Sequence, residues 1–328
     1  SGWLTSWLPT WCPTSSSLLK QAEEKILKVP CPYKKESVCI SNGNKIWTLK
    51  FSQGIVHKTP FVLLYGFGGS VGLWALHFGG LCENRTVCAL DLLGCRQSGR
   101  PQFDGNTVED EDQFLDTIEE WRCDLGLDTA ILLHNLDGFF PAAYSLKYPS
   151  KVMHLILVEP WDFSENLDGT DQDKLNPMWT KALGAVLTLF NPLAGPRIAG
   201  PLGLSLVQWL KPDFKRKYSS VFEDDTMTEY IYHCSVQTSS ETAFRNMTIA
   251  YGWTKPTLLQ TGKMDPDIPI SVIYGGSCID VSSGNTIQYL WSHFYVKTIV
   301  ILGSGNYLYV DQPGEFNQKV KEIFDSVD

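Results

Sequence analysis

The sequence lacks two features that would assign it to large functional classes. It has no run of about 18 uncharged apolar residues, the length that a membrane-spanning helix needs. It also has no excess of basic charge, because 27 lysines and arginines stand against 36 aspartates and glutamates, a formal net charge of -9. Nucleic-acid binding depends on concentrated lysine and arginine. We therefore expect no nucleic acid among its partners.

Regular cysteine spacing is missing as well. The nine cysteines are scattered and none forms a C-x-x-C pair. A disulfide framework or a structural zinc site would show regular spacing. We interpret the cysteines as reduced and mostly buried thiols of a cytosolic protein, and we expect neither a metal nor a cofactor.

The chain does contain a globular mixture, with 43% hydrophobic and 19% charged residues among 328. Short apolar runs alternate with helical segments, and several runs are continuous, as in strands covered on both faces. This alternation predicts an α/β fold with a mostly parallel central sheet and helices on both faces. The predicted strands are 45–51, 61–64, 86–91, 130–133, 154–159, 270–274 and 296–302, and the predicted helices are 18–28, 110–125 and 141–148. We predict that the strands at 270–274 and 296–302 are buried.

The region from Trp161 to about Lys263 interrupts this alternation. It has helical, apolar patches at 182–190 and 202–210 between prolines. We interpret it as a helical cap over the carboxyl ends of the strands, where such sheets bind ligands. Its apolar side chains could line an acyl-chain pocket, press on a lipid monolayer, or form plain cap core. The predicted organisation is an N-terminal segment (1–28), a first core part (29–160), the cap (161–263) and a second core part (264–328).

Two turns after predicted strands carry candidate catalytic positions. Residues 65–69 read Tyr-Gly-Phe-Gly-Gly, and backbone N–H groups in such a turn can point at a developing oxyanion. We assign Phe67, with Leu136, to that role; the alternative is a simple glycine turn. A hydrolase then needs G-x-S-x-G after the strand at 130–133. The nucleophile position there is Asn135, and an amide is not a nucleophile at neutral pH.

The surroundings of Asn135 also depart from a hydrolase elbow. The two flanking glycine positions are filled by Leu133 and Asp137. Pro141, placed about six residues into the following helix, would remove a backbone hydrogen bond at a cost of roughly 3 kcal/mol. Two alternatives follow for residues 133–140: a proper elbow, which would indicate a pocket kept without chemistry, and a collapsed elbow, which would indicate drift.

The acid and base positions complete the predicted site. Asp280 follows the strand at 270–274 and is placed as the acid. The base should follow the last strand, and there the residue is Asn306. We interpret His57, His77, His154, His233 and His293 as isolated surface or core residues. Losing the nucleophile or the base alone typically lowers kcat about a millionfold.

Several segments closely resemble the family of α/β-hydrolase domain-containing protein 5. They lie at 3–13, 40–50, 145–149, 213–218, 228–234 and 311–313, and the resemblance runs along essentially the whole chain. It implies an α/β-hydrolase fold with an inserted cap and a cytoplasmic, lipid-droplet location. It also implies docking on perilipin and co-activation of adipose triglyceride lipase. A lysophosphatidic acid acyltransferase activity is credited to the family and linked to a His-x4-Asp motif, which here runs from Asn306 to Asp311.

This chain departs from the family at the site itself. Asn135 is normal for the family, but Tyr65 and Asn306 stand where the family has histidine, and Asp137 where it has glycine. We interpret the chain as a diverged copy. Three hypotheses follow: a non-catalytic lipid-droplet protein, an acyltransferase or weak esterase, and a relic without function.

Tryptophans recur every four residues at the start of the chain, at Trp3, Trp7 and Trp11. Helical spacing would place the indoles on one face, although Pro9 and Pro13 oppose a long regular helix. Burying about 100 Å² of each indole would contribute roughly 7 kcal/mol in total, and ordering the flexible segment would offset most of it. We predict reversible binding of this segment to a lipid monolayer; the alternative is that the indoles fill a groove of the protein.

Overall fold

The computed structural model describes residues 15–51, 57–65, 69–101, 107–135, 139–160, 202–210, 212–218, 222, 225–234, 265, 267–276, 295–305 and 307–328. Eight strands lie in these ranges: β1 (Tyr33–Cys39), β2 (Lys45–Phe51), β3 (Phe61–Tyr65), β4 (Val87–Leu90), β5 (Ala130–Asn135), β6 (Val152–Val158), β7 (Ile270–Gly275) and β8 (Val296–Ile301). The α-helices there are α1 (Ser16–Ile26), α2 (Ala75–Leu81), α3 (Thr107–Asp124), α4 (Phe139–Lys147), α5 (Gly203–Leu210), α6 (Pro212–Tyr218), α7 (Thr226–Cys234), α8 (Leu308–Asp311) and α9 (Pro313–Val327).

All eight strands join one sheet in the order β1-β2-β4-β3-β5-β6-β7-β8. The pairs β1–β2 and β2–β4 are antiparallel, and every pair from β4 across to β8 is parallel. The chain adds β4 on one side of β3 and then returns to add β5 on the other side. Such a reversal opens a crevice at the carboxyl ends of the two strands, where α/β sheets bind ligands. The predicted fold class is confirmed, and its site is expected beyond β3 and β5.

Alternating side chains of the central strands enter two different cores. Phe61, Leu63 and Tyr65 of β3 pack on one face with residues of α1, α2 and α9. Val62 and Leu64 pack on the other face with residues of α3 and α4. Every residue of β3 and β5 is buried. Burial on both faces is the reason that these strands appear in the sequence as continuous apolar runs.

The two edges of the sheet differ from the prediction. β1 was not predicted, because its lysines and glutamate remain partly exposed and its sequence shows no apolar face. β8 was predicted to be buried, and that was wrong. Ile299 and Ile301 are buried, whereas Val300 is 36% exposed and Leu302 just beyond it is 74% exposed. Only one face of this edge strand is buried. Because apolar residues lie on both faces, the sequence does not show the alternation of buried and exposed positions.

The expected penalty at Pro141 was also wrong. Helix α4 begins at Phe139, so Pro141 lies in its first turn. The N–H groups of a first turn have no acceptor inside the helix, so a proline there removes no hydrogen bond. Pro141 is therefore compatible with a regular helix after β5.

Three helices, α5 to α7, lie in the region predicted to be a helical cap. α7 packs against both α1 and α5, and the backbone N–H of Ser15 donates to Nδ1 of His233 at 3.4 Å. The N-terminal helix is thereby fixed to the cap region. The parts of the predicted cap at 161–201 and 235–264 lie outside the described residues, as do Trp3, Trp7 and Trp11.

The cysteines that can be placed agree with the sequence. Seven fall in the described ranges and none of these forms a disulfide there; Cys31, Cys82, Cys88 and Cys234 are buried. Within the same ranges no helix combines the length and hydropathy of a membrane span. No cluster of three or more potential metal ligands occurs there either.

A buried carboxyl group lies beneath α1. Glu23 is 2% exposed, and its carboxyl group accepts a hydrogen bond from Nε2 of Gln97 at 2.8 Å. Burial raises the pKa of Glu23 to about 8, Asp91 adds to the rise, and Lys35 opposes it. Near neutral pH, Glu23 is therefore largely protonated in the folded chain.

We predict that stability falls as pH rises from about 6.5 to 8.5. Between the unfolded pKa of 4.5 and the folded pKa near 8, the folded chain holds a proton on Glu23 that the unfolded chain has released. This contribution is complete below the unfolded pKa and is lost as pH rises through the folded pKa. Burial lowers the pKa of His77 and of His154 to about 4, so these groups act in the opposite direction only at lower pH.

Chemical denaturation across this pH range measures the slope of the free energy of unfolding against pH. Glu23→Gln should reduce it by up to one proton, or about 1.4 kcal/mol per pH unit. Glu315→Gln, at an exposed position of α9, is the matched control and should leave the slope unchanged. An unaltered slope in Glu23→Gln would contradict the prediction.

Candidate functional site

The candidate site lies at the strand reversal that the topology indicates. Tyr65 is the last residue of β3 and Asn135 the last residue of β5, and the two are direct partners in the parallel ladder. Both are buried. The sheet thus places Tyr65, where the glycine-rich turn begins, beside Asn135, the residue predicted at the nucleophile position.

Asn135 lies where the sequence predicts, at the carboxyl end of β5. It is fully buried, and neither amide atom has a hydrogen-bond partner of normal geometry among the described residues. A neutral amide can donate and accept hydrogen bonds, but it has no proton to lose at physiological pH. The position can therefore orient a group but cannot attack an ester carbonyl.

A pair of tyrosines spans the space between the two sides of the site. Oη of Tyr65 lies 2.8 Å from Oη of Tyr309, a residue of α8. Both phenols are buried, and burial raises the pKa of each well above its usual range. Trp74 packs against both rings, with centroids at 5.8 Å and 5.4 Å. The segment after β3 is thus joined to the segment after β8 by a neutral, water-excluded contact.

Tyr65 also shapes the glycine-rich turn. A Cβ atom at Gly69 would lie 1.2 Å from Cδ1 of Tyr65, so this position tolerates no side chain while the ring is in place. The carbonyl oxygen of Gly69 accepts a hydrogen bond from Nε of Arg96 at 2.8 Å. Phe67 and Leu136, the predicted oxyanion positions, lie outside the described residues.

A buried polar network, missed by the sequence reasoning, fixes the start of the helical segment after this turn. Oδ1 of Asp91 accepts hydrogen bonds from Oγ of Ser70 at 2.8 Å and from the N–H of Val71 at 3.1 Å. Oη of Tyr230 lies 2.5 Å from Oγ of Ser70 and accepts from the N–H of Gly72 at 3.0 Å. Tyr230 belongs to α7, so the network connects the cap region with the core.

Arg96 reinforces the same connection. Its side chain is buried and its φ is +52°, an uncommon value outside glycine. Its Nη1 donates to the carbonyl oxygen of Cys234, at the end of α7, at 2.5 Å. Burial raises the pKa of Asp91 to about 6, and its hydrogen bonds and Arg96 limit that rise.

Asp311 is the aspartate at the position where the family resemblance implies a His-x4-Asp motif, and its carboxylate already has partners. Its Oδ2 accepts from the N–H of Gly305 at 2.9 Å, and its Oδ1 lies 2.7 Å from Nζ of Lys217 in α6. These contacts join the turn after β8 to the cap region. Asp280 and Asn306, the predicted acid and base positions, lie outside the described residues.

The described histidines do not come together at the site. His77 bonds Asn317, with Nδ1 and Oδ1 2.8 Å apart, and Nε2 of His154 lies 2.9 Å from Oγ of Ser271. His233 accepts from Ser15, and His57 is exposed. For these four, the prediction of isolated surface or core positions is confirmed. His134 is buried at the end of β5, and His293 lies outside the described residues.

The sequence matches the family described as alpha/beta hydrolase fold over residues 59–311. The chain therefore belongs to the α/β-hydrolase fold family. It is 71% identical to the human protein named 1-acylglycerol-3-phosphate O-acyltransferase ABHD5, an alignment covering 100% of this chain and 95% of that protein. The resemblance inferred from the sequence segments is confirmed by this match.

More distant similarities agree with the fold. The bovine (lyso)-N-acylphosphatidylethanolamine lipase is 46% identical, with 100% of this chain and 97% of that protein covered. The structure of carboxylesterase CesB from Bacillus subtilis superimposes with a TM-score of 0.66 at 17% identity, covering 94% of this chain and 97% of the esterase. A bacterial membrane phospholipase A superimposes with a TM-score of 0.62 at 19% identity, covering 95% and 90% of the two chains.

We predict that Tyr65→Phe lowers the free energy of unfolding by about 1–3 kcal/mol, because it leaves the buried Oη of Tyr309 without its partner. The double variant Tyr65→Phe/Tyr309→Phe should cost less than the sum of the single variants, with a coupling of about 1 kcal/mol. Urea denaturation of the four proteins measures the coupling.

Tyr295→Phe provides the control for loss of a phenolic oxygen, because Tyr295 is 70% exposed. Its stability should match that of the parent within about 0.5 kcal/mol. Strict additivity of Tyr65→Phe and Tyr309→Phe would show that the two hydroxyls do not interact.

Proposed function

We propose that this chain is a lipid-metabolism protein that uses an α/β-hydrolase fold to associate with a lipid surface and does not hydrolyse esters. The proposed role resembles that of the lipid-droplet co-activator of adipose triglyceride lipase. A place in lipid metabolism is supported by the relatives, which are named for an acyltransferase and for a lipase acting on N-acyl phospholipids.

The proposal that the chain does not hydrolyse esters rests on Asn135. Its neutral amide occupies the end of β5 at the strand reversal, where an α/β hydrolase presents its nucleophile. The hydroxyls of Tyr65 and Tyr309, 2.8 Å apart, join the two sides of the site through groups whose raised pKa values keep them neutral. None of these three side chains supplies a nucleophile or a base near neutral pH.

Lipid association is supported by an exposed apolar face in the cap region. Leu202 and Trp209 are 67% and 76% exposed. Leu202 directly precedes α5 and Trp209 lies near its end; the two are seven residues apart, which is about two helical turns, so helical geometry places them on the same side. Indoles favour the boundary between water and an apolar phase. The next helix, α6, carries exposed Lys215 and Arg216, which suit a surface containing anionic lipids.

The N-terminal tryptophans extend this proposal. Trp3, Trp7 and Trp11 precede α1, and α1 packs on α7 beside α5. We propose that the segment and the face of α5 bind the same lipid monolayer, at the surface of cytoplasmic lipid droplets. The family resemblance suggests perilipin and adipose triglyceride lipase as partners there.

Flotation with phospholipid-coated triolein droplets tests lipid association. The triple variant Trp3→Ala/Trp7→Ala/Trp11→Ala should lose most of the floating fraction. Trp209→Ala alone should lower the partition coefficient roughly three- to tenfold, consistent with the loss of part of one indole's buried area.

Tyr295→Ala is the matched control, since it removes an exposed aromatic side chain next to β8 rather than in α5. Its flotation should equal that of the parent. Equal flotation of the triple variant and the parent would refute the lipid-surface proposal. A separate assay with the triglyceride lipase and an emulsion tests co-activation, where a lipase rate unaffected by the chain would refute that role.

The second candidate is acyl transfer from acyl-CoA to lysophosphatidic acid, and it is favoured by the 71% identical relatives, which are named as a 1-acylglycerol-3-phosphate O-acyltransferase. Against it, Asn306 replaces the histidine of the motif, and Asp311 is held by Gly305 and Lys217. Purified chain with acyl-CoA and lysophosphatidic acid decides between the two candidates. Turnover abolished by Asn135→Ala or Asp280→Ala would overturn the non-catalytic proposal, whereas turnover that survives both would indicate a contaminant.

A weak esterase and a relic without function are the remaining alternatives. The same two substitutions tested with a short-chain ester address the esterase. A cooperative thermal transition of the purified chain would count against a relic that no longer folds.

A further inference from the structure

Glu159, directly after β6, combines three unusual features. Its side chain is 4% exposed, so the carboxyl group is buried. Its φ is +49°, in the left-handed region that residues other than glycine seldom adopt. Neither carboxyl oxygen has a hydrogen-bond partner of normal geometry among the described residues. Backbone strain and buried, incompletely paired polar groups concentrate at functional sites.

The sheet places this carboxyl group at the site edge. The N–H of Glu159 donates to the carbonyl oxygen of Ile273 at 2.9 Å, so the residue lies beside the end of β7. A Cβ atom at Gly275 would lie 3.0 Å from Oε1 of Glu159 and 2.5 Å from the carbonyl oxygen of Gly305. The carboxyl group therefore faces the turn after β8, next to the position that precedes residue 306. Gly275 leaves the space that permits this approach.

The charged groups near Glu159 do not offset the effect of burial on its pKa. Burial raises its pKa to about 8, and the N–H groups of Gly275 and Leu308 lie close enough to limit the rise. Asp311 raises the pKa and Lys217 lowers it, and these two are already paired with each other. A cationic imidazole nearby would favour the ionised carboxylate. A largely protonated Glu159 is consistent with a site that has lost its base.

We propose that Glu159 is an acidic member of this site, the group that faces the base position of the turn after β8. In a hydrolase, a carboxylate near the base orients the imidazole and stabilises its protonated form. Glu159 would be a positioning residue of that kind, although position 306 holds asparagine. The inference concerns electrostatics within the chain and does not depend on lipid association.

The test restores the base and reads its charge. In Asn306→His, the pKa of the new imidazole is measured by NMR titration. Glu159→Gln in this background should lower that pKa by about one unit or more, because an anionic partner near an imidazolium is removed. Glu23→Gln is the matched control: Glu23 is also buried with a pKa raised to about 8, but its neighbours are Asp91, Lys35 and Gln97. Glu23→Gln should leave the pKa of the imidazole unchanged.

Asp280→Asn in the same background supplies the comparison with the acid predicted from the sequence. An imidazole pKa that falls in Asp280→Asn and is unchanged in Glu159→Gln would overturn the proposal. A fall in Glu159→Gln supports it, whether or not Asp280→Asn also has an effect.

A reciprocal measurement leaves Glu159 intact and therefore does not depend on how its variant folds. With selectively carbon-13-labelled glutamate, the carboxyl titration of Glu159 is followed in the parent chain and in Asn306→His. Two coupled groups shift each other, so the Glu159 midpoint near 8 should fall by about one unit when histidine is introduced. An unchanged midpoint would contradict the proposal.

Discussion

The parallel pairing of β3 with β5 determines where the rest of the site must lie. It aligns Tyr65 with Asn135 at the edge where the strand order reverses. The segments after β6, β7 and β8 reach the same edge because these strands are parallel to β5. A single hydrogen-bonded ladder thus brings together residues that are far apart in the chain, and both faces of its central strands are buried.

Burial has different consequences for the groups that this ladder collects. Asn135 is a neutral amide, and burial keeps the phenols of Tyr65 and Tyr309 neutral by raising the pKa of each. Burial raises the pKa of Glu159 to about 8, so this carboxyl group holds a proton near neutral pH. Catalysis of acyl transfer relies on groups that stabilise developing charge. The described groups at this edge of the sheet are therefore mostly uncharged near neutral pH.

Much of the fold was predictable because burial on two faces leaves a local signal. The central strands appear as apolar runs, and Asn135 follows one of them. β1 and β8 were misjudged because an edge strand is half exposed. The residue types in such a strand depend on which elements of the fold cover each of its faces. Pro141 was misjudged because we placed it about six residues into the helix. α4 begins at Phe139, so the missing N–H of Pro141 falls in the first turn, where no N–H has an acceptor inside the helix.

By itself, the sequence determined the fold class and the presence of an amide, Asn135, at the end of a buried strand, since both depend on residue identity and local periodicity. Only the tertiary structure decided what surrounds that position. Tyr65 meets Tyr309 across 244 residues, and Ser70 meets Tyr230 across 160. Glu159 became notable only when its carboxyl group was found facing Gly275 and Gly305. Such contacts follow from the sheet order and the packing of helices, which no local pattern records.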